Sequence, residues 1–177
     1  MRAAGYIVVG MCLGGVIAAV AGIVYVMSTG LRGQPEPGTL ETRVARMMRG
    51  LAVPNEIKAR ANPFAGSADA LGPGLEHFAR YCALCHANDG SGQKTPLGNG
   101  LYPKPPDLRA DATQHLTDGE LFYIIENGVR FTGMPAFGTG QPDPAGDKLV
   151  WQLVYFIRHL PQITPDELEW MKSLNPL

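Results

Sequence analysis

Residues 81–90 read YCALCHANDG. Two of the three cysteines in the chain, Cys82 and Cys85, stand two residues apart, and His86 follows at once. Three chemistries use such a pattern: covalent haem attachment, half of a tetrahedral zinc site, and a redox-active dithiol. Each demands a different fold around it, so the flanking sequence decides.

Working outward, GPGLEHFARYCALCHA from Gly72 to Ala87 opens with a Pro-Gly turn and then runs as a short helix. Leu75, Phe78 and Cys82 share a face of that helix, with Cys85 and His86 one turn on. A structural zinc site needs four ligands, usually two such pairs, and the chain has no second Cys pair. A thioredoxin-like dithiol is expected beside a βαβ pattern, whereas the flanks here read as helix and loop. Cys-x-x-Cys-His on a helix brings two sulfurs near one another, where they form thioethers to two vinyl groups while the adjacent imidazole points at the iron. Haem attachment is therefore favoured over zinc or a dithiol.

A haem iron with one histidine has a second axial position. Forty-eight residues after His86, NGVRFTGMPAFG from Asn127 to Gly138 sets Met134 in a loop punctuated by Gly and Pro. A methionine followed by proline is held extended and cannot continue a helix, so its thioether is free to face a flat ring. The other candidates suit structural roles. Met47 and Met48 fall on an apolar helical face, Met171 on a predicted C-terminal helix, and Met1, Met11 and Met27 at or in an apolar N-terminal run; His77 and His159 lie in predicted helices and His115 precedes a helix cap.

With both ligands in view, the stretch from about Gly72 to Leu160 resembles the class I c-type cytochromes. In that family a Gly eight residues and an aromatic four residues before the first Cys let an N-terminal helix cross a C-terminal one closely; the matching positions are Gly74 and Phe78. The matching C-terminal helix is DKLVWQLVYFIRHLP, from Asp147 to Pro161, with Leu149, Leu153, Phe156, Ile157 and Leu160 on one face and Leu153 and Phe156 as the crossing contacts. A middle helix begins at Thr117, which pairs with Glu120 as a capping box, and ends at Asn127-Gly128. The resemblance implies a mostly α fold around one haem c, attached covalently at Cys82 and Cys85, with His86 and Met134 as axial iron ligands. Between Ala87 and Leu108 the chain is rich in Gly and Pro and buries little apolar area of its own. In the family a carbonyl of this loop accepts the Nδ1 proton of the axial histidine; here the region of Pro103 to Pro106 is its expected source.

The haem domain accounts for only part of 177 residues. Between Arg2 and Arg32 there is no charged side chain, and Tyr6 to Met27 is apolar or Gly throughout. At about 1.5 Å per residue those 22 residues reach roughly 33 Å, enough to cross a bilayer core. AVAG at residues 19–22 suits a signal peptidase, but the apolar run continues to Met27, so an uncleaved anchor is the expected reading over a removed signal. Gly10, Gly14, Ala18 and Gly22 recur every fourth residue and offer a small-residue stripe to another membrane helix. Cys12 inside the span reads as a small apolar filler.

Gly30 to Thr39 is a Gly/Pro linker, followed by Leu40, Val44, Met47, Met48 and Leu51 at amphipathic spacing with Arg43, Arg46 and Arg49 off the stripe. Residues 32–60 carry six basic and three acidic side chains, whereas residues 61–177 carry eight and thirteen. The basic helix packs on its own domain or docks on anionic lipid or a partner. At the far end, Thr164 as cap, Pro165, Asp166 and Glu167 predict a further short helix, packed on the haem domain or reaching for a partner. The expected organisation is thus a transmembrane anchor (1–31), a linker with an amphipathic helix (32–71), a cytochrome c domain (72–160) and a helical extension (161–177).

Two axial ligands leave no open site for oxygen, and His/Met ligation favours a relatively high potential, so the expected activity is single-electron transfer rather than bond chemistry. The leading expectation is a membrane-anchored monohaem cytochrome c on the outer, periplasmic face of a bacterial inner membrane. It would carry electrons between a quinol-oxidising complex or other dehydrogenase and an oxidase, reductase or reaction centre, as a free carrier or a fixed subunit. No nucleic-acid partner is expected. A haem-based sensor and a mainly structural assembly subunit are the alternatives.

Overall fold

A computed structural model describes residues 2–30, 32–33, 35–92, 95–138, 140 and 144–176. Leu31 and Gln34 of the expected linker, Gln93 and Lys94 of the Gly/Pro loop, and Met1 lie outside the described residues. The described residues form helices and loops with no strand. They divide into two units, Met1–Gly33 and Gln34–Leu177.

The first unit is a helix, α1 (Arg2–Thr29), within which Gly5–Ser28 is long and apolar enough to cross a membrane. Gly10, Gly14 and Gly22 have open space where a side chain would stand.

The second unit contains α2 (Thr39–Ala52), a single turn α3 (Asn55–Lys58), α4 (Ala68–His77), a π-helical turn (Phe78–Cys82) and α5 (Ala83–His86). After these come the single turns α6 (Pro96–Asn99) and α7 (Asp111–Gln114), then α8 (Asp118–Asn127), α9 (Pro144–His159), a 3₁₀ turn (Leu160–Gln162) and α10 (Pro165–Leu174). The helix ends follow local sequence. The Thr117 hydroxyl accepts from the Glu120 amide while the Glu120 carboxylate accepts from the Thr117 amide, and Thr164 with Glu167 does the same for α10.

The most extensive helix contact is the crossing of α4 and α9, and it depends on Gly74. A Cβ there would lie 2.3 Å from the Gln152 carbonyl oxygen and 3.1 Å from the Phe156 Cβ, so only glycine lets the backbones come this close. One turn later Phe78 and Phe156, both fully buried, pack with ring centroids 5.1 Å apart in a tilted pair, worth about 0.5–1.5 kcal/mol beyond burial. Leu153 is buried beside them.

Two sequence readings need correcting. The Pro-Gly turn at Pro73 is helical: α4 starts at Ala68, and Pro73 lies inside it. Gly72 makes this possible, because it has no Cβ to meet the proline ring. The single apolar face read on α9 is too narrow, since Val150, Trp151 and Val154 are buried as well and Leu149 only half so. The helix is covered on several sides, by α4 on one and α8 on another. Trp151 stacks on Phe122 of α8 at 4.3 Å, and the Arg60 guanidinium lies over both rings at 4.8 and 5.1 Å. Asn62 donates to the Trp151 carbonyl at 2.9 Å, and a Cβ on Gly119 would collide with the Ile57 carbonyl, so the segment from Val53 to Phe64 is built into the unit.

Arg158 fastens the other end of α9. Its guanidinium donates to Asp118 at 2.9 Å and to the Gln114 and Leu116 carbonyls, closing the α7–α8 junction. The tail packs on its own unit: Met171 of α10 is fully buried, and His159 Nε2 lies 2.9 and 3.0 Å from the two Glu167 carboxylate oxygens.

Candidate haem site

Cys82, Cys85 and His86 stand on one continuous run of helix, with a π turn at Phe78–Cys82 leading into α5. Such turns widen a helix by one residue and recur at functional sites. Cys82 and Cys85 are free thiols and both are half-buried. Burial, with the neighbouring Cys85, pushes the Cys82 thiol up to about 12, and burial raises Cys85 too. Thiols held neutral in this way are poor thiolate nucleophiles, which argues against a redox dithiol. Nor do the described residues gather three or more His, Cys, Asp or Glu side chains that could hold a metal ion, which leaves the zinc reading without its remaining ligands.

The imidazole of His86 is prepared differently. Burial lowers its pKa, against a smaller opposing effect of the Pro106 carbonyl, so the ring is neutral at neutral pH. Its Nδ1 lies 3.4 Å from the Pro106 oxygen. A carbonyl only accepts, so this contact selects the tautomer with hydrogen on Nδ1 and leaves the Nε2 lone pair free for a metal. Pro106 falls within the region that the resemblance implied. Directly after His86 the backbone turns sharply, with Ala87 at φ +61°. A non-glycine residue there costs on the order of 1–3 kcal/mol, and such strain collects at functional sites.

The Gly/Pro loop folds back onto this turn. Gly92 donates to the His86 carbonyl at 2.8 Å, Thr95 Oγ1 to the Cys85 carbonyl at 3.3 Å, and Gly98 to Thr95 Oγ1 at 2.9 Å. Two glycines are required by close approach: a Cβ on Gly92 would stand 2.3 Å from the Pro105 oxygen, and one on Gly98 2.7 Å from the Cys85 oxygen. Gly92 through its backbone and Thr95 through its hydroxyl thus tie the described parts of the loop to the turn at His86.

Met134 arrives on a second loop, Gly128–Gly138. Gly128 (φ +66°) turns the chain, Val129 donates to the Met134 carbonyl at 3.1 Å, and Phe137 and Gly138 close back on Ile125 and Glu126 of α8. The Met134 amide donates to Thr132 Oγ1 at 3.1 Å. Its side chain is half-buried against the core. The two loops meet where a Cβ on Gly133 would lie 2.5 Å from Leu101.

Two thiols that would attach a macrocycle, with an imidazole and a loop thioether that would ligate its iron, are the residue types a haem c calls for. The same segments leave large apolar side chains to solvent, Leu84 and Leu97 partly and Phe131 at 93%. That is apolar surface of the kind a macrocycle covers, and the residues present fit the group. Phe131 (φ +61°) and Thr95 were not singled out in the sequence, which carries no periodic signal for a loop side chain or for a hydroxyl closing a turn.

A protein-family model described as cytochrome c oxidase, cbb3-type, subunit III matches residues 69–157. No curated protein matches the chain.

Proposed function

The chain belongs to the cytochrome c oxidase, cbb3-type, subunit III family and is a class I c-type cytochrome with a haem-based electron-transfer role; from that premise we propose that it is a membrane-anchored monohaem carrier. A haem c, when bound, supplies one-electron exchange between ferrous and ferric states. In this reading Cys82 and Cys85 would hold the group by thioethers, His86 Nε2 and the Met134 sulfur would ligate its iron, and the Pro106 carbonyl would orient the imidazole. Two side-chain ligands leave no exchangeable position, which suits outer-sphere electron transfer and disfavours oxygen or peroxide chemistry.

The observation that carries the assignment is the placement of His86, directly after the Cys82–Cys85 turn with its Nδ1 3.4 Å from the Pro106 carbonyl oxygen. The experiment is redox titration of the full haem-loaded chain. Met134→Ala should keep the haem on the polypeptide through denaturing electrophoresis yet lower its midpoint potential, because a thioether ligand favours the ferrous state. An unchanged potential would assign the second axial position to another residue.

The length and apolar composition of α1 support the membrane part of the proposal. The apolar helix anchors the chain, and the haem unit stands on the outer, periplasmic face of a bacterial cell membrane. The family description supports an oxidase or another redox complex as the host or electron acceptor, with Gly10, Gly14, Ala18 and Gly22 as the stripe against a neighbouring membrane helix. The division into anchor, linker helix, haem domain (72–160) and extension belongs to the same proposal.

A further inference from the structure

Helix α2 faces the wrong way for an element that serves only its own domain. Leu40, Val44, Met47, Met48 and Leu51 lie on one stripe, yet they are 42–79% exposed and no residue of the helix is buried. The opposite side meets the rest of the unit. Thr42, Arg49 and Gly50 are half-buried, and the Gly50 carbonyl accepts from Lys58 Nζ at 2.5 Å. Glu41, beside the stripe, accepts from the Tyr102 hydroxyl at 2.6 Å. An amphipathic helix held by its polar side offers its apolar side to something else.

Three observations choose the occupant. Only nine residues, Gly30–Gly38, separate the end of α1 from the start of α2; fully extended they reach about 30 Å, and as a flexible chain about half that. Such a tether is short enough for α2 to reach the surface of a membrane that α1 spans. The charge agrees, because residues 32–60 are net basic whereas residues 61–177 are net acidic, and anionic headgroups favour the former. Size argues against a protein. A helix of 14 residues is about 21 Å long, so a stripe about 10 Å wide offers on the order of 200 Å², far below the roughly 800 Å² per partner of a stable protein interface.

We propose that α2 is an interfacial membrane helix: its Leu/Val/Met stripe lies in the headgroup–acyl boundary of an anionic bilayer, with the exposed Arg43 and Arg46 on lipid phosphates. The proposal rests on the reading of α1 as a membrane span. The full haem-loaded chain carrying Cys12→Ala is reconstituted into phosphatidylcholine/phosphatidylglycerol vesicles, with a nitroxide on a single added cysteine at Ile17, Ala45, Met47 or Leu51. Labels at Met47 and Leu51 should be more accessible to oxygen than to a water-soluble nickel chelate. The label at Ala45 should show the reverse, and an all-phosphatidylcholine bilayer should reduce the contrast. Water accessibility at all three α2 positions, with Ile17 still in the bilayer, overturns the interfacial helix and spares the anchor. Water accessibility at Ile17 overturns the anchor and the tether argument with it. Broadening between labels that grows with protein density assigns the stripe to a second copy and overturns the lipid occupant.

Discussion

The helix crossing at Gly74 gives a prediction whose sign separates two effects. Gly74→Ala places a methyl 2.3 Å from the Gln152 carbonyl oxygen and 2.9 Å from its carbon, about 0.7 Å short of the 3.0 Å that real Cβ contacts respect. The obstacle is backbone, so no side chain can swing away; α9 must move or α4 must tilt. Helix propensity alone would make the substitution stabilising by up to about 1 kcal/mol, since alanine loses less backbone freedom than glycine. Overpacking in a close-packed core costs about 1–3 kcal/mol, and here it also pulls Phe78 off Phe156. The expected net effect is a loss of about 1–2 kcal/mol. For a unit of about 140 residues that is a fall in melting temperature of about 3–7 °C. The assay is thermal unfolding of the full haem-loaded chain in detergent, followed by far-ultraviolet circular dichroism and haem absorbance. A melting temperature equal to or above the wild type would refute the claim that Gly74 sets the helix separation.

Three further outcomes follow from the same packing. Met171→Ala should cost about 2–5 kcal/mol, because the side chain is fully buried between α10 and the haem unit; a change below about 0.5 kcal/mol in denaturant unfolding would mean that the tail is undocked in solution. Thr117→Ala should cost about 1 kcal/mol by removing one half of the α8 capping box, measured in the same way. Acid should destabilise the unit through Asp107 and Glu167. The Arg109 hydrogen bond holds Asp107 below its usual range, and at Glu167 burial is outweighed by hydrogen bonds from Thr164 and His159. Both values are depressed by folding, so their stabilisation is complete above the unfolded-chain values near 4 and is lost as pH falls through the lower folded ones. Asp107→Asn with Glu167→Gln should flatten stability against pH in that acid window.

Legibility in the sequence followed the range of the forces involved. Thr117 and Thr164 announced their helices because a cap is settled within four residues. Gly74, Phe78 and Phe156 were readable because a spacing from Cys82 tied them to a known crossing. Signals failed where the deciding partner was distant in the chain. Arg60 looks like one more basic residue of a linker, and nothing local says that it lies over Phe122 and Trp151, more than 60 and 90 residues on. The extra buried face of α9 was hidden for the same reason, because a helix covered on several sides loses the periodicity that reveals one side. At the site, the motif drew attention to Cys82, Cys85 and His86, whereas the strained backbone at Ala87 and Phe131 involves residue types that give no warning of positive φ.

The packing of Arg60, Asn62 and Ile57 onto α8 and α9 changes how the stretch before the haem unit behaves. In the sequence about forty residues follow the apolar segment before the first cytochrome helix, a leash long enough to let a carrier roam. With residues 53–64 built into the unit and α2 tied to it through Glu41 and Gly50, nine residues of sequence separate α1 from the unit. On the proposed anchor, the haem unit then meets its partners at an effective concentration set by their density in the membrane. Its encounters become a two-dimensional search, and the turnover of the chain should scale with partners per area of bilayer, insensitive to the volume around it.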